Sequence, residues 1–188
     1  MATLRYSAIT SLDGFVADRD GRFDWGVPDE EVHARINDLQ RDVRTYLYGR
    51  RLYDVMVAWE TWDTTDEPEV VQDYARLWRA ADKIVWSRTL VAPRSTRTRI
   101  VPALDLDEVR TLLAQADHPV LVGGAHLAGA LLRAGLVTDI DLFVTPVLVG
   151  GGTRALPRDV RTDLDLVGVR RFAGGVVHLQ HRVVAPRT

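Results

Sequence analysis

The chain has 188 residues, 46% hydrophobic and 27% charged, which is the size and composition of one domain able to bury a sizeable core. Its net charge of −2 gives no electrostatic basis for nucleic-acid binding, and the absence of cysteine excludes disulfides, thiol catalysis and thiolate metal sites. In chain order, LRYSAI (4–9) reads as a strand. SLDGFVADRDGRFDWGVP (11–28) is rich in Gly and Asp and reads as a long loop, a kind of segment that often carries function. Pro28 with Asp29, Glu30 and Glu31 marks a helix start, and Val32, Ile36, Leu39 and Val43 give that helix one apolar face. TYLYG (45–49) is a short strand ending in glycine. PEVVQDYARLWRAAD (68–82) is amphipathic, with Val71, Tyr74, Leu77, Trp78 and Ala81 on one side.

KIVWS (83–87) and RTRIV (97–101) are strands, and LDEVRTLLAQA (106–116) is a helix. Val120–Val122 is a strand, His126–Ala134 a helix, and IDLFVTPVLV (140–149) a strand broken by Pro146, which together make a right-handed parallel crossover. DLDLVGVRRF and GVVHLQHRVV flank Ala173–Gly174–Gly175 as an antiparallel hairpin. The expected fold class is therefore α/β, a mixed and mainly parallel sheet flanked by helices, with a C-terminal hairpin and all of 1–188 in one domain. MATLRYSAIT has no basic region leading into a long apolar run, and no apolar stretch is long enough to span a bilayer, so a cytoplasmic location is expected.

PVLVGG occurs twice, at 119–124 and 146–151. The first copy leads into the helical AHLAGALLRAGL, so Gly123, Gly124, Ala125 and His126 form a strand-to-helix turn whose bare N–H groups and helix dipole suit a pyrophosphate. The same turn also serves simply to connect strand and helix. The second copy leads into Gly152, Thr153 and Pro157, with no helix behind it, and suits a loop at the substrate end or a subunit contact. Two further strand ends carry anion-binding residues: Gly49, Arg50 and Arg51 in GRRLYD, and Ser87 and Arg88 in WSRTL. In open α/β sheets ligands sit at the carboxyl ends of strands, so parallel strands would gather these groups on one rim. Lys83 is the only lysine, and guanidinium is the better partner for bidentate phosphate contact. Arg and Ser beside a ribose favour a 2′-phosphate, hence NADPH over NADH. The five histidines have no metal-ligand spacing, and no metal is expected.

SLDGFVA, YGRRLYD, VWSRTL, VGGAHLAGALLRAGLVTDIDLFVTPVLVGGGTRAL and the terminal hairpin, in this order, resemble the dihydrofolate reductase-like family. The likeness is greatest to the branch containing the reductase domain of the bifunctional riboflavin-biosynthesis deaminase–reductase. The resemblance implies an eight- or nine-stranded mixed sheet, NADPH as cofactor, and reduction of 5-amino-6-(5-phosphoribosylamino)uracil or a related heterocycle. It puts Gly49 and Arg50 by the cofactor, Ser87 and Arg88 by its 2′-phosphate, Gly123–Leu127 by its pyrophosphate, and Ala8 and Ile9 by the nicotinamide. Asp13 and Gly14 belong to a closing loop, and relatives that dimerise imply a homodimer. Leu52 stands where the family usually has threonine, and the zinc deaminase half has no counterpart here. Candidate proton donors or positioners are Asp13, Glu30 and Thr145; each also has an ordinary structural use, as turn former, helix-dipole partner and strand-end hydroxyl. Trp59 and Trp62 can cover a flat heterocycle or fill a core. Alternatives are a pterin reductase or a non-catalytic NADPH-binding dimer.

Overall fold

A computed structural model of the chain describes residues 1–184. In chain order its elements are β1 (Leu4–Ser11), β2 (Phe15–Ala17), α1 (Glu30–Gln40), β3 (Thr45–Gly49), α2 (Arg50–Met56), α3 (Ala58–Thr61), α4 (Glu69–Ala80) and β4 (Asp82–Trp86). Then follow β5 (Thr98–Val101), α5 (Leu106–Gln115), β6 (Val120–Gly123), α6 (Ala125–Arg133), β7 (Asp139–Thr145), β8 (Thr153–Arg154), β9 (Leu164–Arg171) and β10 (Val177–Val183). The main sheet has eight strands in the order β5-β4-β3-β6-β1-β7-β10-β9. The first six of these run parallel, and β10 and β9 close the sheet as an antiparallel hairpin. The fold class expected from the sequence is the one observed.

Alternation along the strands builds the two cores. Leu47 and Ile84 face α5 and α6, packing with Val109, Leu113, Leu127 and Leu131. Tyr46, Tyr48 and Val85 face the other way into an aromatic layer with Tyr53, Tyr74 and Trp78. Lys83 points into that layer; its Nζ donates to the Trp78 carbonyl at 3.2 Å and lies 4.3 Å from the Trp78 ring centre. Burial lowers its pKa.

Several boundaries differ from the sequence reading, each for a physical reason. β1 runs to Ser11, two residues past Ile9, because β7 continues to pair with it as far as Thr145. The 11–28 loop contains β2, which pairs with β8 after a chain separation too long for local pattern to reveal. Pro146 ends β7 outright, so 146–149 is not strand. α1 begins at Glu30, with the Asp29 carboxylate accepting from the Val32 amide, and stops at Gln40; Val43 is buried from beyond the helix.

On β7 and β10, Asp141 and His178 are both buried and 2.7 Å apart, and His178 stacks on Phe143 at 4.4 Å. Removing one partner of a buried pair strands the other, at about 3–5 kcal/mol. His178→Ala is therefore expected to lower the thermal midpoint by roughly 6–20 °C for a chain of this size. A loss below roughly 2 °C in a melting experiment would show that the pair carries no net stability.

Candidate functional site

Parallel pairing in register builds the rim. Tyr48 on β3 lies beside Gly123 on β6, and Gly49 lies beside Trp86 on β4, so the ends of three strands stand level. Chain leaving them enters α2 at Arg50, the 87–97 loop at Ser87, and α6 at Ala125. The residues expected to share one edge do share it: Gly49, Arg50, Arg51, Ser87, Arg88, Gly123, Gly124, Ala125, His126 and Leu127.

The helix ends on this rim differ from those elsewhere. α1 and α5 are capped by Asp29 and Asp105 and carry acids in the first turn, and α4 carries Glu69. α2 and α6 are preceded by Gly49 and Gly124, which offer no side-chain cap, and carry no acid in the first turn. Their leading N–H groups and positive dipole ends thus lack the internal anion that the other helices supply. A Cβ on Gly49 would meet only the Leu127 Cβ, at 4.0 Å, so the approach is open. Gly124 has φ +89°, a conformation that favours glycine. This donor set fits the pyrophosphate of a dinucleotide.

Leu52 reshapes the cradle. A Cβ on Gly123 would come within 2.5 Å of Leu52 Cδ2 and 2.8 Å of the Tyr48 ring, so glycine is required there by packing. Leu52 offers no hydroxyl to an anion; its side chain lies against the turn as an apolar wedge.

The arginines are not equivalent. Arg50 Nε donates to Asp54 at 2.8 Å and Arg50 Nη1 to Thr89 Oγ1 at 2.9 Å. Arg51, Arg88 and His126 are exposed and make no side-chain hydrogen bond among the described residues. Ser87 is buried, its hydroxyl accepting from the Thr89 and Leu90 amides at 3.2 and 2.9 Å, so it shapes the loop after β4. Sequence reasoning passed over Asp54 and Arg94, which join this network. The i,i+4 spacing of Arg50 and Asp54 was a readable signal; Arg94 sits in a loop with no periodic pattern.

At the other end of the rim Ala8 and Ile9 face opposite sides of β1, Ala8 against the α5–α6 core and Ile9 toward α1. The turn at Gly26 passes over Ile9; a Cβ there would sit 3.4 Å from Ile9 Cγ2. Thr145 is buried, and its Oγ1 donates to the Thr10 carbonyl at 3.0 Å. Glu30 is exposed in the first turn of α1, with no side-chain partner among the described residues. Trp59 packs on Tyr74 at 4.8 Å and on Trp62 at 5.0 Å, and Trp62 keeps 41% exposure.

Asp13 is engaged in a clamp. It accepts from the Ser11 hydroxyl at 2.7 Å and from the amides of Val149 and Gly150 at 3.2 and 2.8 Å. The Ser11 hydroxyl above all, with those amides, holds its carboxyl below the usual range. A group stabilised as the anion is a poor proton donor near neutrality. It ties the loop after β1 to the second PVLVGG segment, beside Gly14, whose carbonyl accepts from Ala155. In that segment Gly152 has φ +129°, and a Cβ would lie 2.1 Å from the Ala17 carbonyl oxygen.

A separate polar cleft of about 580 Å³ lies at the opposite ends of β1 and β7, lined by Arg5, Asp42, Asp139, Asp141 and Arg182 among others. Its polar groups already have partners, Arg5 with Asp42 at 3.0 Å and Asp141 hydrogen-bonded to His178 at 2.7 Å. The open rim, with its unmatched donors, is the better ligand site. Among the described residues no His, Cys, Asp or Glu cluster suited to a metal is present, and no helix is long and apolar enough to cross a membrane.

The chain resembles known proteins over most of its length. The family model described as "RibD C-terminal domain" matches residues 2–178. YyaP of Bacillus subtilis, described as uncharacterized, is 30% identical over 173 residues, covering 90% of this chain and 88% of its own length. The riboflavin biosynthesis protein RibD of Mycobacterium tuberculosis is 29% identical over 156 residues, 78% of this chain but only 43% of RibD. In structure, the diaminohydroxyphosphoribosylaminopyrimidine deaminase/5-amino-6-(5-phosphoribosylamino)uracil reductase of Thermotoga maritima superposes with a TM-score of 0.66. That likeness, at 15% identity, covers 97% of this chain and 57% of the other, and is one of fold.

Two outcomes follow from the local geometry. Gly123→Ala is expected to destabilise by roughly 1–3 kcal/mol through overpacking, and Leu52→Ala should recover part of that loss in a double-mutant melting cycle. Strict additivity would show that the two residues do not press on each other. For Asp13, the depressed folded pKa means that the clamp is complete above the ordinary carboxylate range and is lost as pH falls through the lower folded value. Protection of the Val149 and Gly150 amides from exchange, normalised to the intrinsic rate at each pH, should fall on acidification, and at neutral pH in Asp13→Asn. Unchanged exchange in the variant would remove the clamp.

Proposed function

The chain belongs to the RibD C-terminal domain family, and on that premise we propose that it is a cytoplasmic NADPH-dependent reductase of a small heterocycle. The substrate class is that of 5-amino-6-(5-phosphoribosylamino)uracil. The observation that carries this reading is the pair of uncapped, acid-free helix starts at Gly49 and Gly124, level on one rim with free arginines beside them. In this reading Gly123–Leu127 hold the pyrophosphate, and Arg50, Arg51, Ser87 and Arg88 surround the adenosine 2′-phosphate. Ala8, Ile9 and Gly14 border the nicotinamide. The bound cofactor supplies the hydride. The chain's own tasks are to fix the phosphates, to orient the ring against the end of β1, and to exclude water with the Asp13-clamped loops.

Proton delivery falls to Glu30 or to water held near Thr145. Glu30 is the candidate carboxylate without a side-chain partner, whereas Asp13 positions the loop. Exposed Leu166, Val167 and Val169 on the edge strand β9, at 59%, 50% and 60% exposure, support a homodimer formed through the hairpin. The apolar wedge of Leu52 favours a second reading, in which NADPH binds without turnover.

Titration followed at the reduced-nicotinamide absorbance should show NADPH binding more tightly than NADH. Arg88→Ala should narrow that preference by roughly tenfold, the scale of one charged hydrogen bond. Equal affinity for both, or for neither, would end the NADPH assignment. Oxidation of bound NADPH by the ribosylaminopyrimidine and not by dihydrofolate is the expected substrate result; tight binding with no turnover would favour the second reading. Glu30→Gln should flatten the pH–rate profile, and an unaltered profile would eliminate Glu30.

A further inference from the structure

Asp54 sits between two guanidiniums. Arg50 Nε donates to its Oδ2 at 2.8 Å, and Arg94 Nη2 donates to its Oδ1. One carboxylate thus receives a guanidinium on each oxygen, the arrangement in which a phosphate monoester takes two arginines. The two arginines come from different elements, α2 and the 87–97 loop, and both are anchored elsewhere. Arg50 also donates to Thr89. The Arg94 amide donates at 2.9 Å to the hydroxyl of Tyr53, a fully buried residue, and the same hydroxyl meets Ser95 Oγ at 2.8 Å. The Arg94 guanidinium lies 5.6 Å from the Tyr53 ring centre. The pair is therefore held on a fixed base while the carboxylate between them is 36% exposed and replaceable.

We propose that Asp54 is a built-in stand-in for a ligand phosphate, and that Arg94 is a further anion-binding residue acting with Arg50. The ligand class is a phosphate monoester on a nucleotide ribose. The proposal rests on the reading of the rim as a dinucleotide site and adds how that site selects. A ligand phosphate must replace Asp54 or bind beside it; in either case the carboxylate weakens binding. Asp54 thus sets the affinity for the phosphorylated cofactor and keeps the unliganded arginines compensated.

The test uses the full chain with NADPH, NADH and adenosine 2′-phosphate, followed by tryptophan fluorescence, for the natural protein, Asp54→Asn and Arg94→Ala. Asp54→Asn preserves shape at an exposed position. It is expected to tighten NADPH and adenosine 2′-phosphate by roughly three- to tenfold while NADH moves by less than about twofold. Arg94→Ala is expected to weaken the two phosphorylated ligands by roughly tenfold and to spare NADH. Weaker binding of the phosphorylated ligands in Asp54→Asn would show that the carboxylate orients Arg50, and overturns the proposal. Equal shifts for NADPH and NADH, or none, overturn it as well. Adenosine 2′-phosphate separates this failure from that of the broader reading. If it binds and responds as described while NADPH does not bind, the nicotinamide assignment fails and the arginine pair stands. If it binds no variant, the pair is not a phosphate site.

Discussion

The site depends on one constraint: the parallel register that sets Tyr48 of β3 beside Gly123 of β6. That register puts Gly49 and Gly124 at neighbouring heights, so two helices start side by side. Slipping it by one residue would turn the aromatic face of β3 toward α5 and α6 and bury neither layer properly. The aromatic packing and the ligand rim are thus fixed together. Gly123 joins them physically, because the Tyr48 ring and Leu52 leave no room for a side chain.

Much of this was legible in the sequence, for identifiable reasons. TYLYG, KIVWS and the first PVLVGG are short apolar runs ending in small residues, and their parallel pairing follows from the helices between them. The two PVLVGG copies separate on what comes next: a nine-residue helix after the first, and after the second a glycine loop lying against Ala17. What local pattern could not supply was partners far away in the chain. β2 and β8 are three and two residues long and exist only through each other. Asp13 was readable as a functional residue type, yet its role is set by amides 136 and 137 positions on. A turn-forming aspartate, a proton donor and a clamp look alike until those amides are in place. Ser87 was legible as a rim residue, but its buried hydroxyl spends both contacts on its own loop.

The two ends of the rim solve different problems. At the helix-start end Arg51 and Arg88 are exposed without side-chain partners among the described residues, and one carboxylate, Asp54, pairs with Arg50 and Arg94. At the opposite end the loop after β1 and the second glycine loop are joined by Asp13, by the Leu12 amide to the Val147 carbonyl, and by β2 with β8. Tyr6 adds a buried hydroxyl donating to Ala155. Those contacts hold the two loops to each other. The absence of a side chain at Gly152 is part of the same design: any Cβ there would push the glycine loop off Ala17 and separate the two loops. The second PVLVGG copy thus owes its glycines to close contact within the protein, and the first owes its own to a turn that is packed on one side and left open to a ligand on the other.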